Sequence, residues 1–151
     1  MPDLLRVSVE RVVAAPPERV FAVLADPRRH REIDGSGTVR DAVDGPERLS
    51  LGAVFGMDMR LGGPYRMVNT VVEFEQDRRI AWQPRPAHRV ADKVLGGRIW
   101  RYELEPVDGG TRVRETWDIT QERVPLALVP LRPLTKLSME RTLARLQERL
   151  T

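Results

Sequence analysis

The sequence predicts an α+β domain in which a seven-stranded antiparallel sheet wraps around one long C-terminal helix, with two short helices after the first strand. Three observations carry that prediction. From residue 37 to 119 the chain alternates short runs of period-two apolar residues with Gly, Pro and Asp clusters, the pattern of strands joined by tight turns. Residues 133–150 instead carry apolar side chains at helical spacing. Between the first alternating run and the remaining ones stand two short segments, each opened by a proline.

In strand one, residues 4–14, Leu5, Val7 and Val9 alternate with Arg6, Ser8 and Glu10 until Ala14-Ala15-Pro16-Pro17 breaks the run. Pro17 suits a first helical turn and Glu18 complements its positive end. Val20, Phe21, Val23 and Leu24 then recur at helical spacing as far as Asp26-Pro27. Pro27 opens a second short helix through Arg28-Arg29-His30-Arg31-Glu32, which ends by Asp34-Gly35-Ser36-Gly37. Six strands are expected near 37–43, 53–61, 65–76, 79–84, 98–106 and 111–119. Gly62-Gly63-Pro64, Gln76-Asp77-Arg78 and Asp108-Gly109-Gly110 supply hairpin turns. Residues 84–97 have weak periodicity and end in two glycines, so they read as a longer, mobile connection bordering an opening. After Val124-Pro125 and Val129-Pro130, a helix from about Pro133 to Leu150 carries Leu134, Leu137, Met139, Leu143, Leu146 and Leu150 as its apolar stripe.

A chain of 151 residues suits one domain, 1–151, built on a single core. With no Cys and only His30 and His88, thiolate chemistry and a histidine-rich metal site are excluded, and neither metal nor cofactor is expected. No apolar run is long enough to span a bilayer and the first residues lack a signal-peptide pattern, so the expected location is the cytoplasm, without stable membrane insertion. The formal charge is +3, and Lys occurs only at 93 and 136, so the positive balance is almost all Arg. Those arginines are scattered along strands and helices, which argues against a nucleic-acid partner. Asp34-Gly-Ser-Gly37 and Leu61-Gly-Gly-Pro64 read as turns, since neither precedes a helix bearing Lys. A monomer or a homodimer is expected.

The hairpin at 98–119 is the most informative stretch. Alternation places Trp100, Tyr102 and Leu104 on one face and Val113, Glu115, Trp117 and Ile119 on the matching face of the partner strand. The opposite faces are mostly Arg and Glu. Glu115 interrupts the apolar side, and a buried carboxylate is costly unless paired, hydrogen-bonded or wet, which suggests a lined cavity.

The element order resembles the helix-grip fold of the SRPBCC superfamily, which includes START-type lipid-transfer domains and bacterial polyketide cyclases. Val12-Val-Ala-Ala-Pro-Pro-Glu-Arg-Val-Phe-Ala-Val-Leu-Ala-Asp-Pro27 is similar to the superfamily's opening strand, Ala-Pro turn and helix. Trp100-Arg-Tyr-Glu-Leu-Glu-Pro106 and Gly109-Gly-Thr-Arg-Val-Arg-Glu-Thr116 resemble the last two strands of polyketide cyclase/dehydrase-like members. Where many members carry a Trp-Asp or Trp-His type sequence, this chain has His30-Arg-Glu-Ile-Asp-Gly-Ser-Gly37, so no catalytic set is carried over.

The resemblance implies a ligand cavity between the concave sheet face and the terminal helix. Its candidate lining, from alternation, is Phe55, Met57 and Met59 with Leu61 on strand three, Ile80 and Trp82 on strand five, and Trp100, Tyr102, Leu104, Val113 and Trp117 on the last hairpin. Met139 and Leu143 are the helix's contribution. Asn69, Tyr102 and Glu115 are the polar groups expected inside, with Thr70 and Val72 the inward pair if strand four takes the other register. Tyr102 and Glu115 are also the candidate proton-handling groups, on the condition that burial raises the Glu115 pKa. His30 with Asp34, four residues on, reads either as an oriented base or as a histidine placed favourably at a helix C-terminus, and the second reading is preferred. Three functions compete: binding or transport of a small hydrophobic molecule such as a lipid, isoprenoid or polyketide; a polyketide aromatase/cyclase using the same pocket; and an interaction module using the Arg-rich convex face. The first needs only the cavity and leads.

Overall fold

The structure, a computed structural model, describes residues 3–88 and 96–151. Seven strands form one antiparallel sheet: β1 (Arg6–Val13), β2 (Val39–Ala42), β3 (Val54–Arg60), β4 (Pro64–Glu75), β5 (Arg79–Pro86), β6 (Ile99–Val107) and β7 (Gly110–Asp118). Their spatial order is β1-β7-β6-β5-β4-β3-β2. Every neighbour after β1 is a hairpin partner, and β1 pairs along its whole length with β7, Arg6 opposite Asp118 and Val13 opposite Thr111. The helices are α1 (Pro17–Leu24), α2 (His30–Ile33) and α3 (Arg132–Leu150), the last lying across the concave face. This is the α+β helix-grip architecture that the sequence predicts.

The last hairpin has the expected register: Trp100 faces Trp117, Tyr102 faces Glu115 and Leu104 faces Val113. Across the next ladder Trp82 faces Trp100 and Ile80 faces Tyr102, so the inward rows of β5, β6 and β7 form one continuous surface. In β4 the pairing with β5 slips between Val71 and Glu73. Such a bulge inserts one residue and exchanges the two faces beyond it. Met67, Asn69 and Val71 are therefore inside before the slip, Val72 is exposed, and beyond it Phe74 meets the Phe21 ring edge-on at 5.5 Å. Asn69, not Thr70 or Val72, belongs to the interior set.

α1 forms because Pro17 presets the first turn and four apolar residues share a side; Val20, Phe21, Val23 and Leu24 are all fully buried. At about 1.5–3 kcal/mol for each fully buried large side chain, that face is enough to hold the short helix on the sheet. The second helical segment is shorter than its sequence suggests. Asp26 caps a 3-10 turn over Pro27–Arg29, accepting from the Arg28 amide at 3.0 Å, and the α-helical part is only His30–Ile33. His30 thus opens α2 instead of closing a helix, which removes the helix C-terminus explanation for it.

α3 also departs from its expected stripe. Met139, Leu143, Leu146 and Leu150 are buried with Thr142, but Leu134 is 65% exposed and Leu137 is exposed as well. At about 100° per residue, Leu134 stands about 140° around the helix from Met139, and Leu137 about 200°, so neither can share its buried face. Polar contacts also seat the helix, Arg145 on the Asp34 carbonyl and Arg11 on Gln147 among them. The Arg132 guanidinium donates to the Asp3, Leu4 and Arg6 carbonyls at 2.8–3.1 Å, and Thr142 Oγ accepts the Gly35 amide at 2.9 Å. The convex face carries ion pairs across strands: Arg101 grips Glu73 and reaches Asp118, Arg79 meets Glu103, Arg112 meets Glu105 and Arg114 meets Glu10. Its arginines are matched by carboxylates there. Of the connection expected over 84–97, β5 takes the first residues through Pro86, while 89–95 lie outside the described residues.

Candidate functional site

A cavity of about 450 Å³ lies between the sheet and α3, within the size range of sites that enclose a small organic molecule. β3 contributes Phe55, Met57 and Met59, and β4 contributes Met67 and Asn69. β5 contributes Trp82 and Pro84; β6 and β7 contribute Trp100, Tyr102, Glu115 and Trp117. The opposite wall is Ile33 and His30 of α2, Leu128, and Met139 and Thr142 of α3. Leu143, Leu104, Val113 and Ile80 stand instead in the filled core, outside this lining. All three Trp of the chain line the cavity.

The aromatic wall is ordered by ring contacts. Trp82 stacks on Tyr102 at 5.5 Å between centroids and on His30 at 4.7 Å, while Phe55 meets Trp82 and His30 edge-on. Rings locked against one another in this way give a stiff apolar surface. Trp100 and Trp117 form a further tilted pair at 6.5 Å. At the mouth the lining changes to exposed apolar residues: Leu61, which is 72% exposed beyond the end of β3, Tyr65 on β4, and Leu131 and Leu134 at the start of α3.

Among the polar groups that line the cavity, four are buried against the aromatic wall: Tyr102, Glu115, Asn69 and His30. Tyr102 donates its hydroxyl to Glu115 Oε2 at 2.9 Å, and Glu115 Oε1 is the one buried side-chain polar atom without a hydrogen-bond partner among the described residues. Burial pushes the Glu115 carboxyl up to about 8; the Tyr102 bond opposes that rise and the charge of Asp34 adds to it. At neutral pH Glu115 is therefore mostly a protonated acid. Burial, reinforced by the neighbouring Glu115, also holds the Tyr102 hydroxyl far above its ordinary pKa, so it stays a donor. Asn69 Nδ2 donates to the Phe55 carbonyl at 3.4 Å.

His30 is the fourth group. Its Nε2 lies 2.8 Å from the Leu24 carbonyl, an acceptor only, so Nε2 carries the proton and Nδ1 is the ring's acceptor when the imidazole is neutral. Burial lowers its pKa, the Leu24 bond opposing in part, which keeps it neutral. Asp34 does not bond to it: the Asp34 carboxylate accepts from the Ser36 amide and hydroxyl and from the Val39 amide, organising the turn into β2. The sequence pairing of His30 with Asp34 thus gives way to a pairing of His30 with Leu24 and Trp82. Among the described residues no group of three or more His, Asp or Glu is placed to hold a metal ion.

A family model described as "Polyketide cyclase / dehydrase and lipid transport" matches residues 5–151. The chain belongs to this polyketide cyclase/dehydrase family. Two uncharacterized proteins of Mycobacterium tuberculosis, from different strains, are 42% and 41% identical to it over 115 residues, which is 75% of this chain and 47% of theirs. The chain thus spans about half the length of these curated relatives. Solved structures share the fold: an Arthrobacter aurescens protein at TM-score 0.75 and 18% identity, covering 99% of this chain and 89% of its own, and Ms6760 from Mycobacterium smegmatis at 0.74 and 18%, covering 98% and 93%. Protein NE0264 from Nitrosomonas europaea follows at 0.72 and 19%, covering 99% and 96%.

Within this family member, the sequence reading missed Met67, Ile33 and Leu128 as lining residues and undervalued His30. Met67 was accessible by strand alternation from Asn69. Nothing local signals Ile33 or Leu128, because their position depends on how α2 and the 125–131 segment fold back over the sheet. His30 became legible only once its neighbour in space was known to be Trp82 of β5, 52 residues away in the chain.

Proposed function

We propose that this protein binds or carries a small hydrophobic molecule, of lipid, isoprenoid or polyketide type, in the cavity between sheet and α3. The observation that carries the reading is a roughly 450 Å³ space walled by three Trp, Phe55 and four Met, with a few convergent polar groups at one side. Family membership supports it, since the family description joins polyketide chemistry with lipid transport. Among the described residues no helix is long and apolar enough to cross a membrane. In this reading the carrier encloses its ligand and works in the cytoplasm as a monomer or homodimer.

The proposal is tested by the intrinsic fluorescence of Trp82, Trp100 and Trp117. Titration with medium-chain apolar compounds is expected to shift and quench their emission saturably, and native mass spectrometry of protein from its host is expected to show a co-purifying hydrophobic mass. A flat titration with every such compound, together with a bare mass, overturns the reading.

One observation favours a second reading. A carboxyl at about 8 beside a phenol can donate a proton near neutrality and take it back, the property an aromatase/cyclase needs to fold and dehydrate a poly-ketone chain. In that reading Glu115→Gln abolishes turnover of a poly-ketone substrate while leaving ligand binding in place.

A further inference from the structure

We infer that the Glu115–Tyr102 pair makes the cavity selective for a ligand whose buried end is an uncharged carbonyl, such as a ketone, aldehyde or ester, and that it excludes a carboxylate from that end. This rests on the hydrophobic-ligand reading and narrows it to a chemical class.

Glu115 Oε1 is buried on the cavity wall with no partner among the described residues, and with the carboxyl protonated it is a donor with no acceptor. Tyr102 places its hydrogen on Glu115 Oε2, so the carboxyl's own proton belongs on Oε1, the oxygen that has no partner. A buried donor left unmatched is a cost, and a carbonyl oxygen brought to it along the cavity wall removes that cost. No cationic side chain forms an ion pair with Glu115 among the described residues, and the neighbouring carboxylate is Asp34, which also lines the cavity. Among the described residues, the buried end thus holds no cation to neutralise an incoming anion: its one base, His30, has Nε2 committed to the Leu24 carbonyl and is held neutral by burial. A fatty-acid head group there would lose its water against Trp82, Phe55 and Met57 and face two carboxyls. Arg98 and Arg141 do line the cavity, but Arg141 is exposed on α3, at the outer side. Arg141 thus offers an anion a place at the rim, and Arg98, half-buried just before β6, forms no ion pair with Glu115.

The test uses the full chain, with Trp fluorescence and calorimetry as readouts, and two probes of equal chain length: a medium-chain methyl ketone and the corresponding fatty acid. At neutral pH the ketone is expected to bind at least about tenfold more tightly than the acid. Its affinity is expected to fall as pH rises through about 8, where Glu115 loses its proton. E115Q, which keeps a neutral donor at that place, is expected to retain ketone binding and lose the pH dependence. E115A is expected to weaken the ketone about tenfold while its circular dichroism stays that of the parent. Equal or tighter binding of the fatty acid, weakened by R141Q, overturns the inference by placing the polar head at the mouth, and leaves the broader reading standing. Binding by neither probe nor by any other apolar compound overturns both.

Discussion

The imidazole of His30 lies flat against the Trp82 indole, 4.7 Å between ring centroids and 18° between planes, with its Nε2 held by the Leu24 carbonyl. A protonated ring in that place would bond the carbonyl more strongly but would lose its hydration, and the second effect is the larger, which is why its pKa lies below the ordinary 6.5. The unfolded chain therefore binds this proton more readily than the native one, and stability is expected to fall as pH drops below about 6.5 toward the native pKa. His30→Phe keeps the stacking and removes that part of the acid slope. It also leaves the Leu24 carbonyl without its donor, at a cost of about 1–3 kcal/mol at neutral pH. Urea unfolding of both proteins at pH 7 and pH 5 checks the two effects; an acid slope that His30→Phe leaves unchanged would assign it to other groups.

Glu115 acts in the opposite direction. Its native pKa, about 8, lies above the ordinary 4.5, so the native state holds the proton that the unfolded state has released. Between those values stability declines with rising pH, by about 1.4 kcal/mol per pH unit at most, and the decline ends above about 8. Glu115→Gln removes the titration. The variant is expected to match the parent near pH 5 and to be more stable by at least about 2 kcal/mol at pH 9, measured as the shift in urea midpoint.

Tyr102 moderates that titration, because its hydrogen bond favours the ionised carboxylate that burial opposes. Tyr102→Phe should therefore drive the Glu115 pKa further above 8, read from its carboxyl carbon shift in an NMR titration. The same change deprives Oε2 of its partner and costs about 1–3 kcal/mol at a pH where the carboxyl is charged, less where it is protonated. A Glu115 pKa that falls in Tyr102→Phe would contradict the assignment of Tyr102 as donor.

Much of this was legible from residue order. Period-two patterning placed Trp100, Tyr102, Glu115 and Trp117 on one surface because strand alternation is strictly local, and Asp108-Gly109-Gly110 fixed the register of their hairpin. The strand-four register was not decidable, since the bulge after Val71 exchanges the strand's faces and the Phe74–Phe21 contact beyond it joins residues 53 apart in the chain. The α3 stripe was half legible. Leucine content suggested one face, but the helical angle separates Leu134 and Leu137 from Met139, and the mouth of the cavity is where Leu134 goes. His30 was not legible as a wall residue, for its neighbours Leu24, Phe55 and Trp82 come from three different elements.

Gly35, in the turn after α2, packs directly against α3, with no room between them for a side chain. A Cβ at that position would collide with the Ser138 carbonyl of α3 and stand 2.7 Å from Arg141 Cβ and from the Thr142 amide nitrogen. Since two of those three atoms are helix backbone, the collision cannot be relieved by a rotamer change; the helix itself must move. Thr142 holds the same approach from the other side, its Oγ accepting the Gly35 amide while donating to the Ser138 carbonyl at 3.0 Å. Thr142→Val keeps the shape and deletes the acceptor, which leaves one buried amide unpaired and is expected to cost about 1–3 kcal/mol without displacing α3. Gly35→Ala is expected to destabilise by about 1–3 kcal/mol from overpacking, plus the loss of that same hydrogen bond as α3 lifts. The two variants separate by their fluorescence. A lifted α3 admits water to Trp82, Trp100 and Trp117, so emission of Gly35→Ala should shift to the red and probe affinity should fall, while Thr142→Val should keep the parent spectrum at equal fraction folded. A red shift of equal size in both would mean that the hydrogen bond, and not the close backbone approach, sets the position of the helix.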